Sequence, residues 1–279
     1  MRSFKGKTVI ITGGSEGIGA ATARKFAEAG AKLLLVARGR ANLEKIAAEL
    51  RPMTQVQIVA MDVSDAGACV SLFEKAQLEF GAVHVLINNA GYHERGPVQQ
   101  VAAGDLGRMI DVNLKAPIML CRLAIPYLLK TGGGAAIINV ASLAGRTPVR
   151  GGATYSASKF GLRAFTFALA EELRDTSIKL AVVSPGPVDT GFIMSNIDVV
   201  EDIVFSQPMS TSAEVADEIM KLCMNDRRER SMPPISGGLT TLSYLFPWLG
   251  RKLQPLLDRR GRKVKRRLKA EMTVKTREP

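Results

Sequence analysis

The sequence is poor in the residues that make covalent staples and metal centres, with 3 cysteines and 2 histidines in 279 residues. Cys69, Cys121 and Cys223 are odd in number, far apart and set in apolar or helix-patterned stretches. That predicts reduced, packed thiols of a cytosol-like compartment and no disulfide framework. His84 and His93 stand at no ligand spacing from a cysteine or carboxylate, so neither zinc nor iron is expected. Long apolar runs are also missing at the start. Met1-Arg2-Ser3-Phe4-Lys5-Gly6-Lys7 leads into Thr8–Thr12, too short for a signal peptide or a membrane span, and the expected location is cytoplasmic. Acidic residues are scarce at one end only: of the net charge of +12, most comes from residues 250–279, where 12 Lys and Arg face three Asp and Glu.

What is present is an apolar content of 46% in a chain long enough for one sizeable globular domain. Short β-branched runs alternate with longer amphipathic ones, the pattern of a parallel sheet with helices on both faces. Six strands are predicted, at Thr8–Thr12, Lys32–Ala37, Gln55–Met61, Val83–Asn88, Ala135–Ala141 and Lys179–Ser184, each nearly continuous in apolar residues, as doubly covered strands are. Helices are predicted over Gly17–Ala29, Asn42–Arg51, Asp65–Phe80, Gly104–Lys130 and Thr154–Thr176, with a further one over Thr211–Asn225 capped by Ser212. The fold class is therefore α/β, a doubly wound Rossmann fold with six or seven mainly parallel strands. Residues 1–235 are read as the catalytic domain, including a lid at about 187–210 rich in apolar residues, and residues 236–279 as an apolar segment with a basic tail.

Strand one runs into Thr12-Gly13-Gly14-Ser15-Glu16-Gly17-Ile18-Gly19, inside which a helix begins. Glycines at 13, 17 and 19 permit a tight turn and close approach of backbone N–H groups to a pyrophosphate, whose charge a helix N-terminus favours. The spacing is G-x-x-x-G-x-G, and a glycine-rich turn alone is a weak signal; its place between a first strand and a helix strengthens it. Gly13-Gly14-Ser15-Glu16-Gly17 also fits a hydrolase G-x-S-x-G, but the only histidines available to serve Ser15, His84 and His93, both lie near the fourth strand. At the end of strand two, where an NAD enzyme carries a carboxylate, stand Arg38 and Arg40. A guanidinium there suits a 2′-phosphate, which favours NADP(H).

Tyr155-Ser156-Ala157-Ser158-Lys159 puts a phenol and an ammonium four apart on one helix face. A nearby cation stabilises the phenolate and brings an unperturbed pKa of about 10 toward the range useful for acid–base catalysis.

Together these residues resemble the short-chain dehydrogenase/reductase family over roughly residues 5–225. The matching positions are Thr12-Gly13-x-x-x-Gly17-x-Gly19, Asp62, Asn88-Asn89-Ala90-Gly91, Asn113, Ser142, Tyr155-x-x-x-Lys159 and Pro185-Gly186. The resemblance implies that Tyr155 exchanges a proton with the substrate oxygen, Ser142 hydrogen-bonds it, Lys159 binds the nicotinamide ribose and lowers the Tyr155 pKa, and Asn113 holds a water in the proton relay. It also implies that Asp62 and Val63 meet the adenine, that Asn89, Ala90 and Gly91 line the coenzyme cleft, and that Pro185, Gly186, Val188 and Thr190 position the nicotinamide. Taken singly, most of these residues are equally compatible with turns and caps. The resemblance further implies a homodimer or homotetramer through the helices at 104–130 and 154–176.

The C-terminal part loosely resembles the lipid- and steroid-directed branch of that family, including reductases of 3-keto sphingoid bases. Leu239, Leu242, Tyr244, Leu245, Phe246, Trp248 and Leu249 form an apolar segment beside the cations of 259–269. Such a pairing suits the surface of an anionic bilayer, and equally a segment packed on the body with solvated cations. A hydrophobic ketone or alcohol is the expected substrate, with a 3-oxoacyl thioester as the alternative. A nucleic-acid partner is not expected, since no reading motif accompanies the basic residues; a protein that holds NADP(H) only as a regulatory ligand is the rival of a different class.

Overall fold

The computed structural model describes residues 1–275; the last four residues of the expected basic tail lie outside the described residues. Seven strands form one parallel sheet in the order β3-β2-β1-β4-β5-β6-β9. They are β1 (Thr8–Thr12), β2 (Lys32–Ala37), β3 (Val56–Ala60), β4 (Val85–Asn88), β5 (Ala135–Val140), β6 (Ile178–Pro185) and β9 (Glu229–Met232). β1, β4 and β5 are buried at every residue, because helices cover both faces.

One face carries α1 (Gly17–Glu28), α2 (Arg40–Leu50) and α8 (Ser212–Met224), which bury Phe26, Leu43, Leu50 and Ile219 against Val9, Leu33, Leu35 and Val183. The other carries α3 (Ala66–Phe80), α5 (Ala116–Leu129) and α6 (Ala153–Glu172), whose Phe73, Leu120, Leu128 and Leu169 pack on Ile10, Leu34, Leu86 and Ile137. The stretch Ala103–Leu129 is apolar and long enough to cross a membrane, yet its Leu120, Cys121, Ala124 and Leu128 sit in the sheet's core. The strand order reverses between β1 and β4, and in such sheets the crevice beyond the carboxyl ends of the strands at that point is where ligands bind.

Several expectations need revision. The helix expected over Gly104–Lys130 is α4 (Ala103–Ile110), a π-helical turn (Asp111–Lys115) and α5 in succession. The cap of α8 is Thr211, not Ser212: Thr211 Oγ1 accepts from Glu214 N at 3.1 Å, while the Glu214 carboxylate accepts from Thr211 N at 2.7 Å. Such a reciprocal box satisfies two orphan groups where Ser212 would satisfy one.

The seventh strand, β9, has the sequence ERSM, which carries neither alternation nor an apolar run; Glu229 is drawn in by Arg163 (2.8 and 2.9 Å) and by Arg146. The lid region contains β7 (Val188–Asp189), α7 (Gly191–Met194), a 3-10 turn (Asp202–Ser206) and β8 (Ser210–Thr211). Beyond β9 the chain forms α9 (Pro234–Leu245) and a 29-residue α10 (Pro247–Lys275). α10 lies across the lid: Val264, Leu268 and Met272 pack on Ile193, Ile197, Val200 and Phe205.

Candidate functional site

A cleft of ≈ 750 Å³ opens over the carboxyl ends of β1, β4, β5 and β6. One wall is the β1–α1 turn, where Gly13 and Gly17 have φ of +64° and +52°, a region glycine enters without strain. A Cβ on Gly13 would lie 2.7 Å from Asn89 Nδ2, and one on Gly19 only 2.0 Å from Gly13 O. Gly19 thus sits beneath the cleft and serves close packing of helix on turn. Thr12 ties this wall to the next: its hydroxyl accepts from Asn89 N and Ala90 N, both at 3.0 Å, and Asn89 Nδ2 donates to Thr12 O and Gly13 O. Ser15, Glu16, Gly17 and Ile18 face the cavity, and Glu16 caps α1 without a side-chain bond. The first N–H groups of α1 are therefore left to an anion.

At one end of the cleft Arg38 stands beside Asp62 and Val63. Asp62 accepts from Ser64 N and Oγ, which hold its carboxyl below the usual range with smaller help from Arg38. Arg40 does not reach the cavity; it begins α2, where its charge acts on Glu44.

At the other end stands Tyr155, in the first turn of α6, with Ser142, Lys159, Pro185, Gly186, Val188 and Thr190 around the cavity. Ser142 Oγ donates to Pro185 O at 3.3 Å and accepts from Ala144 N at 3.1 Å. Burial raises the Tyr155 pKa, countered by a hydrogen bond with Ser142 and by the positive field of Arg95. Lys159, expected to assist, holds its Nζ 5.8 Å from the centre of the Tyr155 ring. Lys159 is buried, donates to Val140 O at 3.0 Å, and is pushed down to about 8 by desolvation.

Asn113 lies in the π-helical turn, fully buried and outside the cavity wall. Its amide accepts from Tyr92 N (3.0 Å) and donates to Tyr92 O (2.8 Å). A Cβ on Gly91 would fall 3.0 Å from Asn113 Oδ1 and 3.4 Å from Lys159 Nζ, so glycine lets the loop after β4 settle onto both.

Three lining residues are not signalled by any motif. The His93 ring stacks on Tyr155 with centroids 4.2 Å apart and planes 10° from parallel. Desolvation pushes it down to about 3, so it is neutral and, as a face-to-face neighbour, fixes the phenol's plane. Phe192, from α7, lies 6.3 Å from Tyr155, and the Arg95 guanidinium carbon lies 5.6 Å from the Phe192 ring centre. No spacing rule marks residues that meet only through the fold.

The cradle fits a dinucleotide: a cavity of ≈ 750 Å³, glycines where side chains would intrude, helix N–H groups without a side-chain cap, and the Arg38 cation and the Asp62 carboxylate together at one end. A family profile described as short chain dehydrogenase matches residues 7–199. Sulfoacetaldehyde reductase 2 of Chromohalobacter salexigens is 37% identical over 187 residues, covering 67% of this chain and 74% of that protein. The ketoacyl reductase HetN of Nostoc sp. is 33% identical over 249 residues, covering 87% and 84%. A crystal structure of a short chain dehydrogenase/reductase from Burkholderia phymatum in complex with NAD superposes with a TM-score of 0.81 at 26% identity, covering 90% of this chain and 97% of the other.

Proposed function

Since the chain belongs to the short chain dehydrogenase family and is an oxidoreductase of CH–OH and carbonyl groups using a nicotinamide coenzyme, we propose that its coenzyme is NADP(H) and its substrate a carbonyl compound with an apolar body. The observation that carries this reading is the Tyr155 phenol beside Ser142 in a cleft whose other end holds Arg38, which makes no ion pair among the described residues. When bound, the coenzyme supplies or accepts hydride at its nicotinamide. Gly13 to Ile18, Asp62, Val63, Asn89 to Gly91, Val188 and Thr190 are assigned to holding it, with Arg38 on the 2′-phosphate. Ser142 Oγ and Tyr155 Oη hydrogen-bond the substrate oxygen, and Tyr155 gives it a proton on reduction. Lys159 Nζ orients the nicotinamide ribose, and Asn113, by holding the backbone of Tyr92, keeps Lys159 and Gly91 in register. Leu143, Val149, Ile193 and Val204 around the substrate end favour apolar substituents. A 3-oxoacyl thioester is the second reading, favoured by the ketoacyl reductase among the relatives.

A screen of NADPH oxidation across ketones and ketoacyl thioesters of graded size, with NADH in parallel, tests this. Tyr155→Phe is expected to bind NADPH normally and lose about 10²- to 10⁴-fold in kcat; unaltered turnover removes Tyr155 from the chemistry.

The partner surface assigned here is an anionic membrane, a reading supported by α9 and α10. Leu239 (61% exposed), Leu245 (63%), Trp248 (54%) and Leu256 (66%) stay in solvent beside exposed Arg251, Lys252, Arg259 and Arg260. Apolar and cationic side chains in one surface suit the headgroup region. Sedimentation with phosphatidylserine vesicles is expected to carry the protein down, and neutral vesicles or a chain ending at Leu249 to leave most of it in solution. Equal recovery of the shortened chain rules the basic helix out. Self-association is assigned to the outer faces of α5 and α6, where Ile118 and Leu129 remain exposed, and light scattering reads the mass.

A further inference from the structure

We propose that Arg95 is a substrate-selecting residue, and that the carbonyl substrate carries an acidic group, a carboxylate or an isosteric anion, which Arg95 binds while the carbonyl sits at Tyr155. This rests on the reductase reading of the cleft and names the class of molecule it takes.

Arg95 follows β4 in the loop that also bears His93, and it lines the same cavity as Tyr155. Its guanidinium is held over the Phe192 ring, and that ring neighbours Tyr155. What it lacks is an acid. Among the described residues no carboxylate or carbonyl receives its N–H groups; its contacts are the Phe192 ring and the fields of Tyr155 and His93. Other half-buried arginines behave differently: Arg146 and Arg163 both close on Glu229, Arg230 on Glu218 and Arg24 on Glu49. A guanidinium offers five donors in a planar fork, and withdrawing it from water without an acceptor is unfavourable. Burial does weaken its hold on its proton. Such a group in a ligand cleft is completed by an anion that arrives with the ligand.

The rest of the substrate end narrows the choice. Arg38 lies by Asp62 at the opposite end, leaving Arg95 free of the coenzyme's 2′-phosphate. Lys159 donates to Val140 O and is assigned to the nicotinamide ribose. His93 is neutral and bonded to the Gly151 backbone, and its buried Nε2 has no partner among the described residues; with its proton on the nitrogen facing Gly151, Nε2 accepts, so it offers a carboxylate no donor. Gln207 Oε1 is likewise buried and, among the described residues, unpartnered. Among the described residues lining this end, Arg95 is the arginine whose charge meets no carboxylate. Because Phe192 belongs to α7 of the lid, an acid bound at Arg95 also joins the β4 loop to the lid over the reacting carbonyl.

The test compares 3-oxobutanoate and 3-oxooctanoate with their methyl esters, using NADPH and the full chain, in wild type, Arg95→Gln and Arg95→Lys. Wild type is expected to favour each acid over its ester by roughly 10- to 100-fold in kcat/KM, the size of a charge-assisted bond. Arg95→Gln is expected to erase that preference through KM for the acids, over and above a fall in kcat that acid and ester share as the arginine's field at Tyr155 is lost, with NADPH affinity and thermal midpoint held, and Arg95→Lys to recover part of it. Calorimetric titration of the NADP⁺-bound protein with 3-hydroxyoctanoate and its methyl ester gives the same comparison without turnover. Equal treatment of acid and ester by wild type, an equal loss on both in Arg95→Gln, or weakened NADPH binding in that variant overturns the proposal. Arg95-dependent acid binding with none of the four carbonyls reduced supports the subsite and sinks the reductase reading; reduced esters without acid preference do the reverse.

Discussion

Arg38 and Lys159 are the two cations whose surroundings make the sharpest claims at the scale of single residues. Replacing Arg38 with Ala is expected to raise the Kd for NADPH about 10- to 100-fold, the worth of charge-assisted bonds to a phosphate, and to leave NADH nearly unaffected, as read by fluorescence titration. Lys159 titrates at about 8 in the folded chain and at about 10.4 when unfolded. A base whose folded value is depressed subtracts stability below the folded value, and subtracts less as pH climbs toward the unfolded one. Lys159→Met at pH 7 is therefore expected to stabilise the coenzyme-free protein by up to about 3 kcal/mol in urea melts, an advantage that shrinks above pH 8, while turnover is lost. The motif residues are legible in the sequence because each is tied to a fixed neighbour in the chain, glycine to glycine or Tyr155 to Lys159. Arg95 and His93 are not, since the meaning of Arg95 is an absent partner and that of His93 a ring stacked from another element.

Among the elements, the central strands read clearly because burial on both faces demands apolar runs. β9 does not, because Glu229 enters it as a charged residue compensated from elsewhere. Burial raises the Glu229 pKa, but the bonds from Arg163 and Arg146 outweigh that and hold it below its usual value. Its contribution to stability is thus present above the unfolded pKa, near 4.3, and is lost as pH falls through the depressed folded value. Glu229→Ala strands two half-buried guanidiniums, and a loss of about 2–4 kcal/mol is expected at pH 7, discounted for the exposure of Arg163. The variant's deficit is expected to narrow in acid, which denaturation at pH 7 and pH 3.5 compares. At the start of α8, Thr211→Ala is expected to cost about 1 kcal/mol and Ser212→Ala much less, a direct check on which residue caps.

At the scale of the molecule, α10 is an amphipathic helix whose two long sides serve different surroundings. Toward the lid, Lys265 donates to Val200 O at 2.6 Å and Arg262 pairs with Asp202 at 3.0 Å. Away from it, Arg259, Arg260, Lys263 and Arg266 are exposed. A chain ending at Leu249 is therefore expected to lose more than charge. With the lid's Ile197, Val200 and Phe205 uncovered, KM for apolar carbonyls is expected to rise several-fold in steady-state assays, although Tyr155 is untouched. The cationic excess of the tail is plain from composition, but the partition of those cations between acids of the lid and solvent depends on α10 folding back on it.

That contact is closest at Gly261, where a Cβ would fall 1.8 Å from Asp202 O and 3.2 Å from Ser206 N. Backbone there rests on backbone with no side chain interposed. One methyl group at this point is a shim between two plates, and alanine, serine and valine in turn form a set of graded thickness. Such a series tilts the roof of the catalytic chamber from its outer side and leaves every lining atom chemically intact.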